Sequence, residues 1–337
     1  MSAGGRAQAM IGRRSLFGGC CALILLAALP ARAEPRLGPY TTNELEAARA
    51  EYEPYLRGVF GGDLLARLPP TMRAPLGEVQ LKIPTEMPAG LGTDPAFVLN
   101  VGAVPAARQI YFPLRTAVWL EEYFALTAHL ERRKCPDRLT IMLMYDVMLT
   151  RSGGDGVRPP GPLGAFGLDK SVYGDAYVKD LSDKLFADTV FFLLAHELGH
   201  IARGHAGGAT GIHSQIQERE ADAYALDAMA TIGEFPLGLA YFFTAAAMME
   251  GGQTTHPLSG SRIDAAARAL EARPRAFVGP SETNPDAWVP RLLDVARQLR
   301  LAIPLADNAQ HRAEMLETAG RINFAGLRTI HEKFCPP

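Results

Sequence analysis

Two histidines and a glutamate lie within five consecutive residues of this chain. In the segment FFLLAHELGHIARGH (191–205), His196 and His200 are four residues apart and Glu197 directly follows the first histidine. On a helix, positions i and i+4 project from one face, so both imidazoles can reach one metal ion. Zinc lowers the pKa of a bound water to about 7, and Glu197 can accept a proton from that water. The segment therefore predicts a Zn2+-dependent hydrolytic centre.

A catalytic zinc site needs a third protein ligand, and the segment IQEREADAYALDAMA offers one. Glu218 lies 18 residues after His200, at the start of a second predicted helix. Asp222, four residues later on the same face, can accept the ring N–H of a liganding histidine. Glu220 points about 200° away from that face. We predict His196, His200 and Glu218 as metal ligands, with Asp222 in support; the alternative is a solvated acidic helix face.

These motifs resemble those of a known peptidase group. H-E-L-G-H followed by E-R-E-A-D is similar to the gluzincin zinc metallopeptidases, and within them most similar to the M48 family. That family commonly carries E-x-x-A-D, which matches Glu218, Ala221 and Asp222. The resemblance covers about residues 185–272. It implies a zincin-like fold, zinc as the cofactor and a protein or peptide as the substrate.

A second, less specific part of the resemblance is a His-Pro segment followed by an Arg-Ile pair. His256-Pro257 and Arg262-Ile263 match it. The resemblance implies that His256 either stabilises the oxyanion during catalysis or caps the metal when substrate is absent. The alternative for His256 is a loop histidine fixed by Pro257. Arg262 either pairs with an acid near the site or lies on the surface at a helix start.

The N-terminal region has the pattern of an export signal. Arg6, Arg13 and Arg14 precede the apolar run FGGCCALILLAAL, and an A-x-A site ends at residue 33. This pattern predicts a cleaved signal peptide over 1–33, and the run is too short to span a bilayer as a helix. The paired arginines resemble a twin-arginine signal; ordinary secretion is the alternative. A periplasmic or secreted location is expected, with no membrane span after cleavage.

Composition limits the remaining possibilities. The chain has 337 residues, 48% of them hydrophobic, and its formal net charge of −2 gives no electrostatic case for a nucleic-acid partner. Cys135 and Cys335 would remain after signal cleavage. In an oxidising compartment they either form a disulfide that ties the C-terminal tail to the body or stay as two free thiols. The sequence does not determine the oligomeric state.

Apolar spacing predicts an α+β fold that is mostly helical around the site and has a small sheet. We assign a zincin-like catalytic domain with an N-terminal elaboration to 34–280 and a helical appendage to 281–337. A Gly- and Pro-rich segment at 151–164 predicts a loop. The predicted strands are 79–83, 97–101, 109–112 and 139–147. The predicted helices are 41–56, 114–134, 183–203, 214–230, 236–249 and segments from 255 and 285 onward.

The function expected from these observations is that of an exported zinc endopeptidase. Glu197 would act as the general base and His256 would assist. A non-catalytic, metal-stabilised binding or chaperone-like module is an alternative. Another is a zinc amidase that acts on cell-wall peptides.

Overall fold

Helices make up most of the described chain. The computed structural model describes residues 37–91, 97–152, 156–207, 209–249, 256, 258–319 and 321–335. The predicted signal peptide at 1–33 lies outside them. The α-helices are α1 (Thr42–Gly58), α2 (Pro70–Arg73), α3 (Leu114–Arg132), α4 (Arg138–Arg151), α5 (Pro162–Ala165), α6 (Ala176–Arg203), α7 (Gly211–Ile232), α8 (Leu239–Met249), α9 (Gly260–Ala272), α10 (Val289–Leu301), α11 (Ile303–Asp307), α12 (Ala309–Ala319) and α13 (Phe324–Phe334). A π-helical segment spans Val59–Leu65, and short 3-10 helices span Pro105–Ala107, Lys170–Gly174, Pro274–Phe277 and Pro285–Trp288.

A three-stranded sheet accompanies the helices. Its strands are β1 (Gln80–Lys82), β2 (Gly102–Val104) and β3 (Gln109–Tyr111), in the order β1-β3-β2. β1 runs parallel to β3, and β2 runs antiparallel to it. The mostly helical architecture with a small sheet is compatible with the predicted α+β class. The predicted strands at 79–83 and 109–112 are confirmed.

Two predicted strands are wrong. The segment 139–147 lies within α4, and the strand expected at 97–101 begins instead at Gly102. Helix α4 is buried on nearly every side, because Ile141, Met142 and Leu143, which point about 100° apart, are all buried. A helix buried on all sides has no polar face, so its apolar run cannot be distinguished from a buried strand by periodicity.

Helix α6 is the central element of the core. The Asp175 carboxylate caps its start by accepting the backbone N–H groups of Tyr177 and Val178, and the helix ends at Gly204, whose φ of 62° is left-handed. It packs against α3 on one side and α7 on another. Within the described residues α6 alone is long and apolar enough to cross a membrane, but 89% of its most apolar window is buried in the protein. That burial is typical of a core helix.

The C-terminal helices pack onto the rest of the chain. Pro35–Pro337 forms one compact unit, in which α10 contacts α8 and α9. Cys135, just after α3, and Cys335, just after α13, form a disulfide that closes a loop of 200 residues. Of the two possibilities left open by the sequence, the structure has the disulfide. The boundary between 280 and 281 stays a prediction.

Removing this disulfide should destabilise the protein. The double change Cys135→Ser/Cys335→Ser restores chain entropy to the unfolded state, which for so long a loop corresponds to about 5 kcal/mol in the chain-entropy model. Thermal unfolding should show a lower Tm for the variant than for the oxidised wild type. Reduced wild type is the control and should unfold near the variant. Equal Tm values for variant and oxidised wild type would contradict this expectation.

Two histidines beside the disulfide should make stability depend on pH. The ring centroids of His129 and His331 lie 5.5 Å apart, and both Nε2 atoms are buried without a hydrogen-bond partner among the described residues. Burial lowers the pKa of His129 to about 4 and lowers the pKa of His331. The unfolded chain, with histidine pKa values near 6.5, therefore takes up these protons first. As far as these two histidines are concerned, the free energy of unfolding is therefore highest above about pH 6.5 and decreases as the pH falls towards 4.

The measurement is the difference in Tm between pH 7.5 and pH 5. We expect it to be smaller in the His129→Gln/His331→Gln variant than in the wild type. His213→Gln is the matched control, because His213 is exposed at the start of α7. If the Tm difference in the double variant equals that of the wild type, His129 and His331 are not the source of the pH dependence.

Candidate metal centre

The chemistry-bearing residues of α6 and α7 face each other across a close helix contact. A Cβ added at Gly199 would lie 2.9 Å from the Ala221 Cα, so only glycine permits this approach. The contact brings the buried side chains of His196 and His200 against that of Glu218, and the side chain of Glu197 is buried as well. The two motifs that the sequence analysis singled out are thereby joined into one site.

Three of these side chains have the spacing of ligands around one ion. The Nε2 atoms of His196 and His200 lie 3.1 Å apart, and each lies 3.3 Å from an oxygen of Glu218. Tetrahedral ligands at zinc bond lengths of 2.0–2.1 Å are separated from one another by about 3.3 Å. The donor set of two imidazoles and one carboxylate therefore fits a zinc ion in both chemistry and separation.

His256 closes the fourth side of this group. Its Nδ1 lies 3.0 Å from Glu218 Oε1, and its Nε2 lies 3.9 Å from Glu197 Oε1. The potential ligand atoms of His196, His200, Glu218 and His256 all lie within 4.8 Å of one another, a set able to hold a metal ion. His256 is the most exposed of the four, with 26% of its side chain accessible. The structure thus brings this predicted residue to the site.

Asp222 supports His196 from behind, where the sequence analysis expected it. Asp222 Oδ1 lies 2.9 Å from His196 Nδ1, so a proton on that nitrogen leaves Nε2 free to ligate. Arg262 donates to both Asp222 oxygens, from Nε at 2.8 Å and from Nη2 at 2.9 Å. Its Nη1 lies 3.0 Å from Glu218 Oε2. Of the two possibilities for Arg262, the buried ion pair is therefore correct.

The buried charges shift one another's pKa values. Burial raises the pKa of Glu218, but the charge of His256 and hydrogen bonds from His196 and His200 outweigh burial and lower it. Burial likewise opposes ionisation of Asp222, and the Arg262 charge and bond with His196 lower its pKa overall. Burial lowers the pKa of His196, yet the hydrogen bonds with Asp222 and Glu218 raise it to about 10, so a metal ion must displace the Nε2 proton in order to bind there. Both carboxylates are therefore held in the ionised form that binds cations.

Sequence reasoning missed the surroundings of His200. His205 is five positions beyond His200, which on a regular helix would take it off the face that carries His196 and His200, but its buried ring lies with Nδ1 2.9 Å from His200 Nδ1. Its Nε2 lies 2.9 Å from Glu220 Oε2. The helical-wheel argument fails here because the left-handed Gly204 reverses the chain before His205. The glycine at position 204 could have indicated this from the sequence, because glycine commonly ends a helix in the left-handed conformation and turns the chain back towards it.

An apolar cavity opens beside the site. Its walls include Phe192, Phe242, Phe243 and Leu258, and its polar lining includes His196, Glu197, His256 and Arg262. Strand β2 runs next to it, since a Cβ at Gly102 would lie 3.8 Å from His256 Nε2. The general-base candidate therefore borders a space that an apolar group can enter.

Comparison with known proteins supports peptidase chemistry. A family model described as Peptidase U49 matches residues 167–279, about a third of the chain. The match indicates a peptidase family. The matched region contains α6, α7 and α9, and thus every residue of the predicted site. It is not a model of the M48 family, so the M48 resemblance stays a prediction. Comparisons with curated proteins and with solved structures give no match.

Enlarging Gly199 should damage the site through the helix contact. In Gly199→Ala the new methyl meets the backbone of Ala221, which cannot rotate away, so α6 and α7 must separate. We expect a loss of about 1–3 kcal/mol in stability, as is usual for overpacking. We also expect less metal bound per chain, measured by elemental analysis beside thermal unfolding. The control is Gly58→Ala, where the added methyl meets nothing within 4 Å. Full metal content in Gly199→Ala would contradict the argument.

Proposed function

We propose that this protein is a zinc-dependent endopeptidase of the gluzincin type. The observation that carries the proposal is the convergence of His196, His200 and Glu218 beside Glu197, a buried carboxylate with a free oxygen. Glu197 Oε2 has no hydrogen-bond partner within the described residues. The peptidase family match supports the same class of reaction and a protein or peptide substrate.

His196, His200 and Glu218 would hold the zinc ion. When bound there, zinc supplies Lewis-acid polarisation of the scissile carbonyl and lowers the pKa of a water molecule. Asp222 keeps the proton of His196 on Nδ1, and Arg262 keeps Asp222 ionised and in place.

Glu197 is the base of the proposed mechanism. Its unpartnered Oε2 accepts a proton from the attacking water and then delivers that proton to the leaving amine. His256 can donate from Nε2 to the carbonyl oxygen as that oxygen gains negative charge. The pKa of His256 favours this role: burial lowers it, but the charges of Glu218 and Glu197 outweigh burial and raise it.

The proposed location is the periplasm or the outside of the cell. It rests on the signal-peptide pattern of residues 1–33, and the paired arginines favour the twin-arginine route. The disulfide between Cys135 and Cys335 is in keeping with an oxidising compartment. The likeness to the M48 family rests on the motif residues alone.

One observation favours a second candidate, a non-catalytic binding module stabilised by metal. His256 brings the number of potential ligands to four, and structural zinc sites use four protein ligands whereas catalytic sites keep one position open. In that case the ion would cross-link α6, α7 and the segment before α9, with no substrate access to it. Activity and metal content measured together separate the two candidates.

Glu197→Gln is the deciding variant. It keeps the size of the side chain and removes the base, so we expect wild-type zinc content and a loss of peptide cleavage of about 100-fold or more. Cleavage of casein and of a peptide library would be measured with and without chelator. Glu46→Gln on the exposed face of α1 is the matched control and should keep full activity. Zinc-loaded wild type that cleaves no peptide would favour the binding module instead.

A further inference from the structure

His200 is supported from behind by a two-residue chain that leads to the protein surface. His205 Nδ1 lies 2.9 Å from His200 Nδ1, and His205 Nε2 lies 2.9 Å from Glu220 Oε2. The ring of His205 is buried, while 51% of the Glu220 side chain is exposed. We propose that His205 and Glu220 are positioning residues that fix the proton and the orientation of the metal ligand His200. The inference rests on the proposed function in its use of His200 as a ligand.

The chemistry of imidazole allows one arrangement of protons in this chain. If His200 binds the metal through Nε2, its proton is on Nδ1 and must be donated. The facing nitrogen, His205 Nδ1, then has to accept it and carries no proton. The remaining proton of neutral His205 is on Nε2, from which it is donated to Glu220. Each of the three groups thereby determines the protonation of the next.

The backbone holds this chain in place. Gly204 is left-handed at the end of α6, which turns His205 back towards the helix. The backbone N–H of His205 then donates to the His200 carbonyl oxygen at 3.0 Å. Glu220 comes from α7, two residues after the ligand Glu218 and on the opposite face. The segment just after α6 and helix α7 therefore each contribute one residue behind His200.

Charge explains why a histidine occupies the place next to His200. His196 is backed directly by Asp222, whose charge Arg262 balances at 2.8 Å. A second buried carboxylate against His200 would add negative charge to a site that already contains Glu197, Glu218 and Asp222. A neutral imidazole accepts the same hydrogen bond without that charge. The carboxylate of Glu220 lies one ring further out, where solvent stabilises it.

Metal affinity and proton positions test the proposal without any use of activity. In zinc-loaded wild type, nitrogen-15 NMR of the histidine rings should place the His205 proton on Nε2 and the His200 proton on Nδ1. Zinc affinity, measured by competition with a chromophoric chelator, should fall by about 10- to 100-fold in His205→Ala. His205→Asn, whose amide oxygen can accept from His200, should recover part of that loss. Glu220→Ala should weaken binding, and Glu220→Gln, which retains an acceptor, should weaken it less. His213→Ala, an exposed histidine of α7, is the control and should bind zinc normally.

Each outcome bears on the proposal. A His205 proton found on Nδ1, or zinc affinity in His205→Ala equal to that of the wild type, would overturn it. The NMR measurement needs only the wild-type chain, so a variant that fails to fold does not remove the test. Weakened affinity in His205→Ala together with an inactive wild type would sustain the positioning role and overturn the endopeptidase. A wild type that binds no zinc would overturn both.

Discussion

The close contact between α6 and α7 is the constraint on which the site depends. Two of the proposed ligands lie on α6 and the third on α7, so their 3.3 Å spacing exists only while the two backbones touch. Gly199 permits this, since any side chain there would meet the backbone of Ala221. The apolar residues that bury α6 among α3, α7 and α8 hold the helix at that distance. The position of each ligand is therefore a consequence of core packing rather than of the loop that joins the two helices.

That close packing buries several charges, and their mutual arrangement offsets the cost. An isolated buried carboxylate is strongly destabilising, whereas one that is paired and hydrogen-bonded is not. Arg262 reaches both Asp222 and Glu218, and the imidazoles of His196 and His200 face Glu218. Breaking one partner would leave the others buried without compensation. The network thus makes the helix contact, the ligand set and the orientation of Asp222 depend on one another.

The sequence predicted the site better than the fold around it. The i, i+4 spacing placed His196 and His200 on one face of a helix and Glu218 and Asp222 on one face of the next. The need of a metal site for a third protein ligand then suggested that the two faces meet. The helix α4 was predicted as a strand, because a helix buried on all sides has no periodic polar face. His205 was missed for another reason: its position is set by the left-handed Gly204, beyond the last residue to which a helical wheel applies. Pairing of Cys135 with Cys335, 200 residues apart, depends on tertiary structure that local patterns do not contain.

The position of the Glu197 side chain bears on whether the proposed metal centre is catalytic. Its side chain is buried at the edge of the apolar cavity, and Oε2 has no hydrogen-bond partner in the described part of the chain. A metal centre that served stability alone would gain from an apolar residue at this position, because Glu197 is not among the four potential ligands. A hydrolytic reaction has a use for this carboxylate, because a base must lie beside the ion to take the proton of the attacking water. The presence of Glu197 beside the potential ligands therefore favours the endopeptidase over the binding module.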